Sequence, residues 1–245
     1  MNVERQTIFT LGRMAEHFGL GYLPDYVDEI ADRAGLIAEL EAQVQDVAHF
    51  ETKSFSSVHE FRLFRILIYS LIRALRPSTI IETGVLHGMT SAFILRAIEK
   101  NGAGRLISID LPSNFDEGPA NKDGYFATLP PEKAPGWIIP ERYLGNWELV
   151  LGASAEALPP TLEKNPAIDV FLHDSEHSYE TMWFELATAW SHLTAKGILI
   201  CDNIDNNTSF FDFCRSVDRI PFVCTSPIAG VQDKIRFGII GRNQR

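Results

Sequence analysis

Hydrophobic positions along the chain change period near residue 77. Before it they recur at helical spacing, first at Ile37, Leu40, Val44 and Val47, then more regularly at Phe64, Leu67, Ile68, Leu71, Ile72 and Leu75. Ser57-Val58-His59-Glu60 has the form of a capping box and predicts that the second of these helices opens there, while Pro77 closes it. From Ser78 onward short β-rich runs alternate with helical ones. The pattern predicts a strand over Thr79–Thr83, a helix over Met89–Lys100 ended by Asn101-Gly102, and strands over Arg105–Asp110 and Trp147–Leu151. It continues with a short helix broken at Pro159-Pro160, a strand over Ile168–His173 and a long helix over Tyr179–Lys196 closed by Gly197. A strand over Ile198–Asp202 and two last strands over Phe222–Thr225 and Lys234–Ile240 complete it. Repeated strand–helix units build a mostly parallel sheet with helices on both faces. The expected fold class is therefore α/β, a doubly wound, mostly parallel seven-stranded sheet, with residues 1–76 as an N-terminal helical region and residues 77–245 as the main domain.

One segment breaks the alternation. Residues 111–146, between the second and third predicted strands, hold Pro112, Pro119, Pro130, Pro131, Pro135 and Pro140 together with Gly118, Gly124 and Gly136. So long a connection inside a compact domain is either a cover over a ligand or a plain surface excursion. Trp137 inside it is a candidate substrate contact, whereas Trp183 and Trp190, at helical spacing on the long helix, read as core.

Composition narrows the class of function. The 245 residues are 45% hydrophobic and 22% charged, ordinary for a globular protein, and carry a formal net charge of −10. With no cluster of lysine and arginine, that charge disfavours nucleic acid and anionic membrane surfaces as partners. The longest apolar candidate, Phe64 to Leu75, is interrupted by Arg65, Ser70 and Arg73, and no run approaches the roughly 18 residues of a membrane span. No secretory leader is evident at the N-terminus. Cys201, Cys214 and Cys224 form no CxxC pair, so buried, reduced thiols and a cytoplasmic location are expected. The many Leu and Ile positions of the N-terminal helices suggest that these helices pack on the sheet and contribute to a homo-oligomer.

Candidate chemistry begins where the first strand runs into Glu82-Thr83-Gly84-Val85-Leu86-His87-Gly88. Glycines in a strand-to-helix turn let backbone approach a ligand, and the helix N-terminus directs amide donors at it. The G-x-G-x-x-G spacing of dinucleotide-binding proteins is absent, which counts against an NAD-dependent oxidoreductase. Asp110, ending the second strand, is placed to accept hydrogen bonds from ribose hydroxyls. A glycine turn needed only for packing is the alternative. Further along, Asp174 follows one strand end, and Asp202 and Asn203 lie at the next. Residues at the carboxyl ends of neighbouring parallel strands converge on the binding crevice, so these three could present hard oxygen ligands suited to magnesium or calcium. They could equally cap helices or shape loops. His177, three residues after Asp174, is a candidate base, since an imidazole titrates near ~6.5. His173 competes with it but alternation points it to the other face of the sheet. His87 and His59 read as structural.

The E-x-G-x-x-x-G turn resembles the first motif of class I methyltransferases. From about Ser57 to the C-terminus the chain is similar to the small-molecule O-methyltransferases that include catechol O-methyltransferase and the macrolide-sugar O-methyltransferases. The stretches that carry this are Ile80–Ser91, Leu106–Asp110, Trp147–Leu158 and Asp169–Asn203. The resemblance implies a Rossmann-like methyltransferase fold with S-adenosylmethionine as cofactor. It implies that Asp110 holds the ribose, that Gly152 and Ser154 line the adenine, that Gly84 lies against the methionine end and that Glu82 supports the turn bearing Gly88. It also implies that Asp174, Asp202 and Asn203 hold magnesium. Catechol-type enzymes have a lysine base at the position of His177, so this chain departs from them there. The expected activity is metal-assisted O-methylation of a small-molecule hydroxyl, with Asp174 and His177 as catalytic residues. A metal-independent methyltransferase and a noncatalytic S-adenosylmethionine-binding module are the alternatives.

Overall fold

Short apolar runs, bounded by glycine turns and helix caps, form the sheet. The computed structural model describes residues 3–30, 35–44, 58–111, 129–130, 132–227 and 234–243. Its strands are β1 (Thr79–Thr83), β2 (Arg105–Asp110), β3 (Trp147–Leu151), β4 (Ile168–His173), β5 (Leu193–Cys201), β6 (Phe222–Pro227) and β7 (Lys234–Gly241). They lie in the order β3-β2-β1-β4-β5-β7-β6, parallel except that β7 runs antiparallel to both of its neighbours. The connections leave β1 in one direction and return to β4 on its other side. In such a sheet the crevice for a ligand opens at the carboxyl ends of the strands beside this reversal.

The alternation of side chains along each strand feeds two separate cores. On one face Ile80, Leu106, Val170, Leu172, Ile198 and Ile200 pack in a cluster with five helices: α1 (Val3–Phe18), α2 (Val27–Ile30), α3 (Leu36–Val44), α4 (Val58–Leu75) and α5 (Met89–Asn101). On the other, Ile81, Ile107, Phe171 and Leu199 pack with α6 (Ser154–Lys164), α7 (Tyr179–Trp190) and α8 (Ser209–Ser216). Helix α4 is held firmly. Phe64 meets Phe237 of β7 with ring centroids 4.7 Å apart, and near the other end Arg73 and Tyr69 both bond Glu29 of α2, each at 2.7 Å. Leu11, Met14, Leu36, Ile37, Leu40 and Val44 are buried in this same cluster. Most of the apolar positions of the N-terminal helices are thus taken up within the chain, while Ile8 and Phe9 of α1 stay exposed. No helix among the described residues is long and apolar enough to cross a membrane.

Two local expectations are corrected. Helix α6 is not broken at Pro159-Pro160 but runs to Lys164 with both prolines inside it. The carbonyls they leave without donors belong to Ala155 and Glu156, which are exposed and can be hydrated. Helix α7 ends at Trp190 rather than Lys196, because Leu193 pairs with Ile168 of β4 and draws residues 193–196 into β5. The capping serine at Ser57 and residues 112–128 of the long connection lie outside the described residues. The described part of that connection ends in a 3-10 helix over Glu141–Asn146.

Candidate active site

Gly84 stands where β1 leaves the sheet, at φ +83°. A Cβ on it would lie 1.9 Å from the carbonyl oxygen of Asp174 and 2.4 Å from the carbonyl carbon. Hydrogen bonds from Gly84 N to the Ile109 carbonyl and from Asp174 N to the Thr83 carbonyl, both 2.9 Å, sew the ends of β1, β2 and β4 together. Asp110 then closes the turn: its Oδ2 accepts from Val85 N at 3.1 Å and Leu86 N at 2.7 Å. Burial pushes the Asp110 carboxyl up, and these amides pull it part of the way back.

Gly88, at φ +91° just before α5, faces the long connection. A Cβ there would meet Gly136 Cα and Ile139 Cγ1, each at 2.7 Å. Gly136 N donates to the Leu86 carbonyl at 2.8 Å, and the indole of Trp137 donates to His87 Nδ1 at 3.0 Å. Burial pushes His87 down to about 4, so the ring is neutral at physiological pH and can accept at Nδ1. Trp137, a candidate substrate contact, also ties the connection to the glycine turn.

Glu82 lies beneath the turn with no exposed surface. Its Oε1 accepts hydroxyls from Ser91 of α5 and Ser108 of β2, and Ser108 in turn accepts the Trp147 indole at 2.7 Å. Its Oε2 has no hydrogen-bond partner among the described residues. Burial, reinforced by the Asp110 charge and opposed by the two serines, raises the Glu82 pKa to about 7 from 4.5. A raised carboxyl disfavours the ionised folded state. The penalty is absent below about pH 4.5, grows as pH rises, and is complete above pH 7, where it amounts to roughly 3 kcal/mol. Glu82→Gln should therefore be more stable than wild type at pH 8 and indistinguishable from it at pH 4.5. Urea melts at the two pH values check this, and a difference independent of pH would contradict it.

At the crevice, the pairing of His173 with Cys201 sets the next residues, Asp174 and Asp202, side by side. Burial and the neighbouring carboxylate push Asp174 well up. Burial also raises Asp202, to about 6, and the pair shares a hydrogen bond. The positive charge of Arg65, from α4, opposes both shifts. Asp202 is 8% exposed and its Oδ1 has no hydrogen-bond partner among the described residues. Asn203 follows at φ +49°, a left-handed conformation that asparagine tolerates better than most residues. Two carboxylates that repel each other, one with an orphaned buried oxygen, beside an amide form a donor set that fits a hard divalent cation. Among the described residues no group of three His, Cys, Asp or Glu side chains could hold a metal, so the third protein ligand would have to be the Asn203 amide. His177 is nearly buried, with Nε2 3.9 Å from Asp174 Oδ1, too far for a hydrogen bond.

His173 points to the other face of the sheet. Its Nδ1 lies 2.6 Å from Oε2 of Glu185 on α7, both side chains wholly buried. Glu185 also accepts hydroxyls from Thr83, Ser154 and, at 2.7 Å, Ser175. Burial alone would raise its pKa, but the His173 charge and these donors outweigh it and the net shift is downward. Ser154, expected against adenine, thus spends its hydroxyl on Glu185. Gly152, at φ +154°, would admit a Cβ with only Ala157 nearby, at 3.5 Å. Sequence reasoning missed Glu185. The available signal was a charge on the stripe of α7 that carries Met182, Leu186 and Ala189.

Residues 81–204, half of the chain, match the family described as "Methyltransferase domain". No curated protein matches the chain. Among solved structures, the O-methyltransferase TomG from Streptomyces achromogenes, in complex with SAM, is similar with a TM-score of 0.56 at 13% identity, over 86% of this chain and 94% of that one. The O-methyltransferase from Bacillus cereus in complex with SAH gives 0.51 at 13% identity, over 88% and 96%. The SAH-bound methyltransferase PaMTH1 from Podospora anserina gives 0.51 at 12% identity, over 87% and 94%. At such identities these likenesses speak for the fold. With the glycine turn, the strand order and the family match in agreement, the chain belongs to the methyltransferase-domain family, as a class I S-adenosylmethionine-dependent methyltransferase.

Proposed function

We propose that the protein transfers the methyl group of S-adenosylmethionine to a hydroxyl of a small molecule, with the acceptor bound over the carboxyl ends of β4 and β5. The observation that carries this reading is the meeting, at one rim of the sheet, of the Gly84 turn with the paired carboxylates Asp174 and Asp202. Asp110 accepts from the ribose, Gly84 admits the methionine end, and Gly152 and Ser154 flank the adenine. Glu82, under the turn, keeps Ser91 and Ser108 in place and with them the first turn of α5. Gly88 spaces the turn from the long connection.

Transfer is a displacement at carbon. The acceptor oxygen bonds to the methyl carbon as the carbon–sulfur bond breaks, the sulfonium becomes a neutral thioether, and the hydroxyl proton must leave. His177 takes that proton at Nε2, and Asp174 Oδ1, 3.9 Å away, is placed to stabilise the imidazolium that results. Asp174, Asp202 and Asn203 would hold magnesium. Such an ion supplies positive charge that orients a hydroxyl and lowers its pKa. A metal-independent transfer is the second reading, favoured by one observation: Arg65 already brings positive charge to the acid pair.

Calorimetry with S-adenosylhomocysteine, with and without magnesium, tests the reading. Asp110→Ala should weaken binding by about 1–3 kcal/mol, the range for hydrogen bonds to a charged group. Tight NADH binding with no detectable S-adenosylhomocysteine binding would overturn the cofactor assignment. Full methyl transfer in excess chelator would select the metal-independent reading.

A further inference from the structure

Glu185 occupies the buried stripe of α7 beside Met182, Leu186 and Ala189, with no exposed surface. A leucine would serve that stripe for packing alone, and a carboxylate shut away from water is costly unless donors meet it. Donors meet it at both oxygens. Oε2 accepts the Thr83 hydroxyl and lies 2.6 Å from Nδ1 of His173, while Oε1 accepts the Ser175 hydroxyl at 2.7 Å. His173 and Ser175 stand on either side of Asp174, and Thr83 immediately precedes Gly84. One carboxylate therefore grips the end of β1 and the end of β4 together. These are the two segments that touch at the crevice, where a Cβ on Gly84 would lie 1.9 Å from the Asp174 carbonyl oxygen. Successive residues of a strand point to opposite faces. Glu82 is accordingly held through Ser91 and Ser108 on the α5 face and Thr83 through Glu185 on the α7 face, so the approach to the glycine turn is fixed from both sides.

We propose that Glu185 is a positioning residue of the cofactor site, one that couples the Gly84 turn to the Asp174 segment by bonding both at once. The inference rests on the placement of the methionine end at Gly84 proposed above, and on neither the metal nor the acceptor. Glu185 acts through its partners: its hydrogen bonds fix Thr83, His173 and Ser175, and these carry the backbone of Gly84 and Asp174. The main-chain bond from Asp174 N to the Thr83 carbonyl, 2.9 Å, already ties the two segments at one point. That bond alone would let the residues beyond Asp174 swing, and the links from His173 and Ser175 to the same carboxylate stop them. The gap between the turn and the strand end is then set before the cofactor arrives, so binding loses little to ordering it.

Calorimetry with S-adenosylhomocysteine on the whole protein tests this without a known acceptor, at a temperature where circular dichroism shows each variant fully folded. Glu185→Leu should bind on the order of 10-fold more weakly than wild type, and Ser175→Ala about 3-fold more weakly. Glu185→Gln offers one oxygen to His173 and Thr83 and an amide that can donate to Ser175, so it should stay within about 2-fold of wild type. The discriminating measurement is Ser175→Ala in the Glu185→Leu background. Its effect should vanish there, because the hydroxyl no longer has a carboxylate to bond, whereas a merely structural Glu185 would leave the effect of Ser175→Ala unchanged. Should Glu185→Leu fail to fold, Thr83→Val, Ser175→Ala and their double variant take its place, and the double should lose less affinity than the product of the two single losses. Wild-type affinity in Glu185→Leu, an equal Ser175→Ala effect in both backgrounds, or a double-variant loss equal to that product would overturn the coupling and leave the cofactor placement standing. If wild type does not bind S-adenosylhomocysteine, the cofactor placement and the inference fall together.

Discussion

Gly84→Ala is expected to abolish S-adenosylhomocysteine binding and to destabilise the fold by roughly 4 kcal/mol or more, an exceptional figure for one methyl group. The reason is geometric. The added carbon would sit 1.9 Å from the Asp174 carbonyl oxygen, 2.4 Å from its carbon and 2.8 Å from Ser175 N. All three atoms are backbone, pinned by the hydrogen bonds that join β1 to β4, so no side chain can swing aside. Either the turn lifts away from the strand end or the strand end shifts, and both displace the crevice. A control separates this close approach from simple backbone strain. Gly102 has φ +71° but open space around it, and Gly102→Ala should cost only about 1–2 kcal/mol, the penalty for a left-handed residue bearing a Cβ. Thermal melts and calorimetry of the two variants give the comparison. Equal effects at the two positions would mean that contact with β4 is not what demands glycine at 84.

His177→Ala is expected to lower turnover by about 10²–10⁴-fold while leaving S-adenosylhomocysteine binding intact, the range for losing a general base. The ring is nearly buried, packs edge-on against His173 with centroids 5.5 Å apart, and its backbone carbonyl accepts from Asn207 at 2.9 Å. Those contacts hold the residue where its Nε2 lies 3.9 Å from Asp174 Oδ1. The defect should shrink as pH rises, because more of the acceptor then loses its proton without help. A pH series of single-turnover rates reads this directly. Unchanged turnover in His177→Ala would leave water as the proton acceptor and give His177 a packing role.

Much of the fold was legible because its signals are local. The short strand-forming runs at Ile80–Ile81 and Leu106–Ile109, the glycines at 84 and 88, and the acids that end β2, β4 and β5 each declare themselves within a few residues. What was not legible depends on contacts across the chain. Pro159 and Pro160 read as a break, yet water can satisfy the carbonyls they abandon. The end of α7 is fixed by pairing with Ile168, more than twenty residues upstream. Glu185 resembles any helical glutamate until Thr83, His173 and Ser175 converge on it. Arg65 read as an interruption of an apolar run, and that its charge is felt by Asp174 and Asp202 appears only in the folded chain. Even the acid pair was half read: adjacent strands predict that Asp174 and Asp202 meet, but not that a third element brings a cation to them.

The touching backbones of Gly88 and Gly136, with Trp147 behind them, bear on how such a protein can be re-engineered. Positions nearly fifty residues apart act there as one spacer, since a side chain on either would push into the other's neighbours. Residues 134–140 are in effect a fixed foot of the long connection, bolted to the cofactor turn through Leu86, His87 and Trp137. A chimera that borrows a foreign connection to change the acceptor should therefore place its downstream splice before Ala134 and retain that foot. A splice at β3 would carry away the foot and disturb the cofactor turn, so that lost activity could be mistaken for a mismatched acceptor.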